Sequence, residues 1–211
     1  MSKKYVLSDN DDPTMALKQF KWRLDDYNNV ALDWDWPAER NIRLILLYEL
    51  SGESDNEPDV GRLLQEGHHH EVMIRDLATS FSSNITEGRR RYLLCPGYFD
   101  DKQIVVVHKL SSKTDWLYKK TIVTTEVVEK PLSLSQFKHI SLRVAVSDNA
   151  QMSLVSRALK YVIYEDGRAL GEYPLDVPVM SGVAGFYVKK SQVIRFSLDE
   201  NFAHLLILRN R

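Results

Sequence analysis

The chain has one cysteine in 211 residues, and its formal net charge is only −1. A single cysteine, Cys95, forms no intramolecular disulfide and builds no cysteine-based zinc site without a partner chain. Its neighbours Tyr92, Leu93, Leu94 and Pro96 are apolar, so it reads as a small buried hydrophobe rather than a nucleophile. Near-zero charge supplies no global field for nucleic acid or an anionic membrane, and neither partner is expected. No run of about 18 apolar residues occurs, so no spanning helix is expected. The N-terminus, Met1 to Asp9, holds an apolar run of three residues, where a secretory signal needs about 7–15. The expected location is therefore the cytoplasm. Gly-x-Ser-x-Gly, His-Glu-x-x-His and a phosphate-cradling glycine loop are absent, as are repeats of 20–50 residues. No helix longer than two turns shows clear caps.

Strict alternation is present. Val30, Leu32, Trp34 and Trp36 recur at every second position with Ala31, Asp33 and Asp35 between them. A period of two puts one set on one face of a strand and the other set opposite, so Leu32 and Trp34 are expected in a core and both aspartates in water. The run Ile42 to Tyr48 follows as a further strand. Strands are also read at Lys18 to Leu24, Glu71 to Leu77, Ser80 to Ile85, from Arg91 to a break at Pro96-Gly97, Gln103 to Leu110 and Trp116 to Val128. Residues 51–59 form a loop by composition, and 60–67 fit one helical turn or more loop.

Lys130-Pro131 reads as a boundary, because proline donates nothing to a ladder and restricts the residue before it. Beyond it, Ile140, Leu142, Val144 and Val146 alternate, and Glu165-Asp166-Gly167-Arg168 is a hairpin signal. Strands follow at Leu159 to Tyr164, Gly182 to Val188, Gln192 to Leu198 and Ala203 to Leu208. The fold class is thus all-β, as two consecutive β-sandwich domains: an N-terminal segment or first strand over 1–24, one sandwich over 25–130 and a smaller one over 132–211.

Leu32-x-Trp34-x-Trp36-Pro37, followed by an alternating strand that ends in Tyr48, resembles the start of a fibronectin type III domain. The resemblance covers about residues 25–128. It implies a leucine and a tryptophan of the second strand in the core, an aromatic on the third strand, and a tyrosine on the sixth. It implies nothing specific about function, since such sandwiches serve adhesion, receptor and scaffold roles alike. Residues 132–211 resemble no named family.

Several clusters have the residue types of a site. His68 and His70 would share a strand face and could ligate a metal, but only Glu66 and Glu71 stand near them, so a solvated loop and no metal are expected. Asp33 and Asp35 lie about 7 Å apart on one strand face, a spacing compatible with a glycosidase pair, yet outward aspartates on an alternating strand ordinarily only solvate it. Arg89-Arg90-Arg91-Tyr92 is a basic run beside an aromatic and reads as surface charge. Asn84-Ile85-Thr86 is a glycosylation sequon. No catalytic residue, cofactor or metal is assigned.

These readings favour a non-catalytic binding or scaffold protein that engages a protein partner through sandwich surfaces. The alternative is a carbohydrate-binding module or an accessory protein of carbohydrate-active enzymes, in which exposed aromatics stack sugars. Trp116, Tyr118, Tyr161 and Tyr164 are the candidate binding residues under either reading.

Overall fold

The computed structural model describes residues 4–9, 13–37, 42–52, 56, 58–76, 78–109, 111–148, 151–175 and 184–210. The chain divides into two compact units, Met1–Lys119 and Lys120–Arg211. Each is a β-sandwich.

In the first unit, β1 (Tyr5–Leu7) precedes β2 (Lys18–Leu24) and β3 (Asn29–Asp35). Then come β4 (Leu44–Ser51), helix α1 (Val60–Glu66), β5 (His70–Met73), β6 (Ser80–Asn84) and β7 (Arg89–Phe99). Three short pieces follow, β8 (Val105–Val107), β9 (Ser112–Lys113) and β10 (Leu117–Tyr118). One sheet runs β2-β3-β6; the other runs β1-β8-β7-β4-β5, with β9 and β10 also against β7. Val30, Leu32 and Trp34 of β3 meet Ile45 and Leu47 of β4 and Tyr92 and Leu94 of β7 in the core between the sheets. Asp33 and Asp35 are exposed, as the period of two requires. Setting β1 aside, β7 is the sixth strand, and Tyr92 is the buried tyrosine that the fibronectin type III resemblance implies there.

The larger sheet is buried on both faces. Leu44, Leu46 and Tyr48 point away from the main core and join Leu93, Cys95, Val105 and Val107 in a second cluster. Tyr5 of β1 and Val60, Leu63 and Leu64 of α1 cover it. The helix turns one apolar face inward at i, i+3 and i+4. It is fixed by Asp59, whose side chain accepts from the Gly61 N–H at 2.9 Å, and by Gly67, whose φ of 72° suits a residue without Cβ. Cover on both faces explains why Leu44 to Tyr48 reads as a continuous apolar run.

Several expectations are corrected here. Pro96-Gly97 does not break β7: Ile45 pairs with Pro96 and Leu44 with Gly97. The Pro96 carbonyl accepts from the His108 N–H at 2.9 Å, so its missing N–H falls on the β8 side and the ladder to β4 loses nothing. The strand read over Gln103 to Leu110 is only Val105–Val107, and the one read from Glu71 ends at Met73 in a 3-10 turn, Ile74–Asp76. Leu77 and Leu110 lie outside the described residues.

The second unit contains β11 (Thr121–Pro131), β12 (Phe137–Val146), helix α2 (Met152–Ala158), β13 (Leu159–Glu165), β14 (Arg168–Pro174), β15 (Ala184–Lys189), β16 (Gln192–Leu198) and β17 (Leu206–Asn210). Its sheets run β15-β12-β11-β17 and β14-β13-β16. Val123, Ile140 and Leu142 of one sheet pack with Leu159, Ile194 and Phe196 of the other and with Val155 and Ala158 of α2. The hairpin at Asp166-Gly167 has positive φ at both residues, 49° and 79°, as a tight turn between twisted strands demands.

Lys130-Pro131 is not the boundary. Both residues end β11, where Lys130 pairs with His139 and Pro131 with Lys138 across a hairpin. The division falls at Lys119/Lys120, inside the segment Trp116 to Val128 that reads as one strand. Leu117–Tyr118 belongs to the first sandwich and Thr121 onward to the second. The hydrophobic period passes through unchanged because both pieces are half-buried strands, so no change of pattern marks the change of core.

Candidate functional site

The four aromatics read as a binding set fall in two units. Trp116 and Tyr118 belong to the first unit, Tyr161 and Tyr164 to the second.

Arg89 and Arg91 share a face of β7, two residues apart, and both reach the Trp116 ring. Their guanidinium carbons lie 4.2 and 4.9 Å from its centroid. Arg89 also donates to the Tyr118 hydroxyl at 3.0 Å, while the intervening Arg90 pairs with Glu49 at 3.0 Å on the other side. Arg91 Nε and Nη1 and Trp116 Nε1 are buried without a hydrogen-bond partner among the described residues. The arginine charge is therefore met by the indole π-face, an attraction that strengthens as water is removed. The indole is thus engaged by two arginines of its own unit, and the cluster braces β7 against the chain leading into β10.

Tyr161 points inward. Its ring stacks on Tyr173 at 5.3 Å and on Phe186 at 5.1 Å, and it packs against the core of its unit. Burial, then the neighbouring Tyr173, raises the pKa of its hydroxyl. Tyr164 faces the other way. It pairs with Val193 of β16, and the Arg195 guanidinium carbon lies 5.4 Å from its ring centroid.

Tyr164, Val193 and Arg195 occupy one end of the outer face of the β14-β13-β16 sheet. Lys160, Glu172, Ser197 and Asp199 fill the other end. Lys160 Nζ lies 3.1 Å from Asp199 and 3.7 Å from Glu172, and the Ser197 hydroxyl donates to Glu172 at 3.0 Å. The hydrogen bond to Asp199 holds the Lys160 ammonium above its ordinary pKa. That end satisfies its own polar groups, whereas Val193 at the other end is 46% exposed.

The edge beside this face is the decisive feature. Among the described residues β16 pairs with β13 alone, over seven consecutive positions without a bulge. Edge strand β2 is bulged at Lys18–Lys21 and β14 opposite Ile163/Tyr164, and such bulges discourage further pairing. Edges β6, β15 and β17 are regular but shorter, paired over five, six and five positions, so β16 is the longest regular edge among the described residues. The unit's last strand, β17, pairs in parallel with β11 in the other sheet and leaves β16 uncapped. Sequence reading found Gln192 to Leu198 as a strand but missed Val193 and Arg195 as site residues. Their standing depends on where β17 pairs: its partners in β11, such as Thr121 for Leu206, lie 85 residues away in sequence, and no local signal carries that.

The other clusters resolve differently. His69 packs against Tyr5 and Tyr48, with ring centroids 4.9 and 5.5 Å apart, rather than lying in a solvated loop. The Tyr5 hydroxyl donates to Glu71 beside it. His70 begins β5, and His68 is exposed. Asn84 spends its amide on Tyr27 and Asn29.

No family model matches the chain, and no curated protein matches it. Among solved structures it is similar to the central fibronectin III array of RIM-binding protein, at 9% identity and a TM-score of 0.31, over 92% of this chain and 65% of that one. It is similar to the chicken CNTN1 FN1-FN3 domains at 12% identity and a TM-score of 0.29, over 89% of this chain and 62% of that one. A two-domain fibronectin type III segment from chicken tenascin gives 11% identity and a TM-score of 0.35, over 86% of this chain and 82% of that one. The chain thus spans less than two thirds of the length of the first two. The fold of each unit rests on its own sheets and cores.

Proposed function

We propose that this protein is a non-catalytic binding module that takes a protein partner as an added strand along β16. The observation that carries the reading is the uncapped, unbulged edge of Gln192–Leu198. An extended segment laid there gains main-chain hydrogen bonds for affinity, and side-chain contacts on the sheet faces give selectivity. Val193 and Tyr164 favour an apolar residue on the outer face, and exposed Arg195 favours an acidic one beside it.

The experiment is photocrosslinking in cells from a reactive residue placed at Val193, with the same residue at Asp33 of the first unit as control. Protein adducts at Val193 that are lost with Arg195→Glu support the reading. Equal adducts at both positions, or none at Val193, sink it.

A further inference from the structure

The β11–β12 hairpin spends an apolar side chain and a strained backbone on the same residue. Leu134, in the turn, is fully exposed and has a φ of 58°. A leucine in the left-handed region is uncommon, because Cβ crowds the following carbonyl. Leu132 and Phe137 beside it are also exposed, at 37% and 48%. Three large apolar side chains on one tip exceed the scattered singles of an ordinary surface.

The tip wears a basic collar. Lys190, in the turn after β15, gives its N–H to the Gln136 carbonyl at 2.9 Å, and Phe137 pairs with Lys189, so the two turns lie together. Lys130, Lys189 and Lys190 are exposed around the apolar residues, with Arg168 on the third turn at this end. Of the nearby acids, Glu129 is held by Lys138 at 2.8 Å. Glu165 accepts from Ser191 and sits 3.7 Å from Lys189, and Asp166 is exposed. A net charge near zero over the whole chain averages away this local excess.

We infer that this hairpin tip inserts into the surface of an anionic lipid bilayer, with Leu132, Leu134 and Phe137 in the acyl boundary and Lys130, Lys189 and Lys190 at the headgroups. A convex apolar tip needs a partner that deforms around it, which a fluid bilayer does, and lysines around it are drawn to an anionic surface. Docking of two copies tip to tip would instead bring the lysine collars together. The tip stands at the far end of β11 from Thr121, where the chain enters the unit, so insertion leaves that connection free.

Flotation of the intact chain with phosphatidylcholine vesicles containing phosphatidylserine tests this, against phosphatidylcholine alone. The chain should float with the anionic vesicles, less so as salt rises, and Leu134→Asp should weaken binding roughly tenfold or more. Leu134→Asn suits the left-handed turn, so it should bind as weakly while melting like the parent, which separates lost apolarity from lost fold. The second unit has no tryptophan of its own. The emission that Leu134→Trp adds to that of the parent's four tryptophans, taken as the difference between the two proteins, should shift to the blue with anionic vesicles and be quenched by brominated lipid. No flotation, flotation unchanged by Leu134→Asp, or an unquenched Leu134→Trp overturns the inference. So does a dimer in sedimentation that Leu134→Asp makes monomeric, because the tip would then bind a second copy.

Discussion

In the first unit the strand beside β7 is broken into β8, β9 and β10, which together cap that edge, and a helix and a terminal strand cover the sheet's outer face. In the second unit β17 crosses to β11, β16 keeps a free edge, and a single core serves both sheets. The consequence shows on the surface. Among the described residues, two exposed large hydrophobics (Trp22 and Tyr27) belong to the first unit and seven to the second. The first sandwich has covered the outer face of its larger sheet, and the second leaves more apolar surface in water, at the β16 edge and at a hairpin tip.

The sharpest way to break this contrast is to cut the chain. Residues 1–119 and 120–211 produced separately should each fold, with a strand-type circular dichroism spectrum and a cooperative melt. A cut between 130 and 131 removes β11 from the second unit and should abolish its folding. Equal outcomes from the two cuts would disprove the division at Lys119/Lys120.

Point substitutions sharpen it further. In β4 both parities are buried, so Leu46→Ala and Leu47→Ala should each cost about 2–5 kcal/mol. In β16 only one parity is buried: Ile194→Ala should cost about 2–5 kcal/mol and Val193→Ala less than about 0.5 kcal/mol. Urea midpoints decide it, and a costly Val193→Ala would show that the β16 face is covered.

Alkali should also separate the units. Burial pushes the Cys95 thiol up to about 12, from 9 when unperturbed. Above about pH 9 the unfolded chain releases this proton while the folded first unit keeps it. Stability is thus complete below pH 9 and falls by about 1.4 kcal/mol per pH unit towards 12. Burial of the Tyr48 hydroxyl acts in the same direction. Urea midpoints of the first unit should drop across this window, and Cys95→Ala should reduce the slope. The smallest effect expected is Asp33→Asn, under about 0.5 kcal/mol, since its side chain faces water.

What could be read in advance was the half-buried strand. Val30 to Trp34 and Phe137 to Val146 face one core each, and their alternation carries face and burial together. Three things escaped. Leu44 to Tyr48 lacks a period because it faces two cores, and a continuous run does not say what covers its second face. Helix α2 has no side-chain cap, so its seven residues carry no start signal. Residue type alone marks the binding aromatics, but their surroundings include neighbours such as Arg89 over Trp116 and Phe186 against Tyr161, which only the fold brings together.

The pairing of β17 with β11 also bears on force. The two strands run parallel, with Thr121 beside Leu206 and Thr125 beside Asn210, near the points where the chain enters and leaves the second unit. Tension applied through those points pulls the strands past each other along their own axes. Every rung between them is loaded at once, whereas a hairpin pulled from its open end loses its rungs one after another. The second unit therefore meets a stretching load in shear, the direction in which a short ladder resists most.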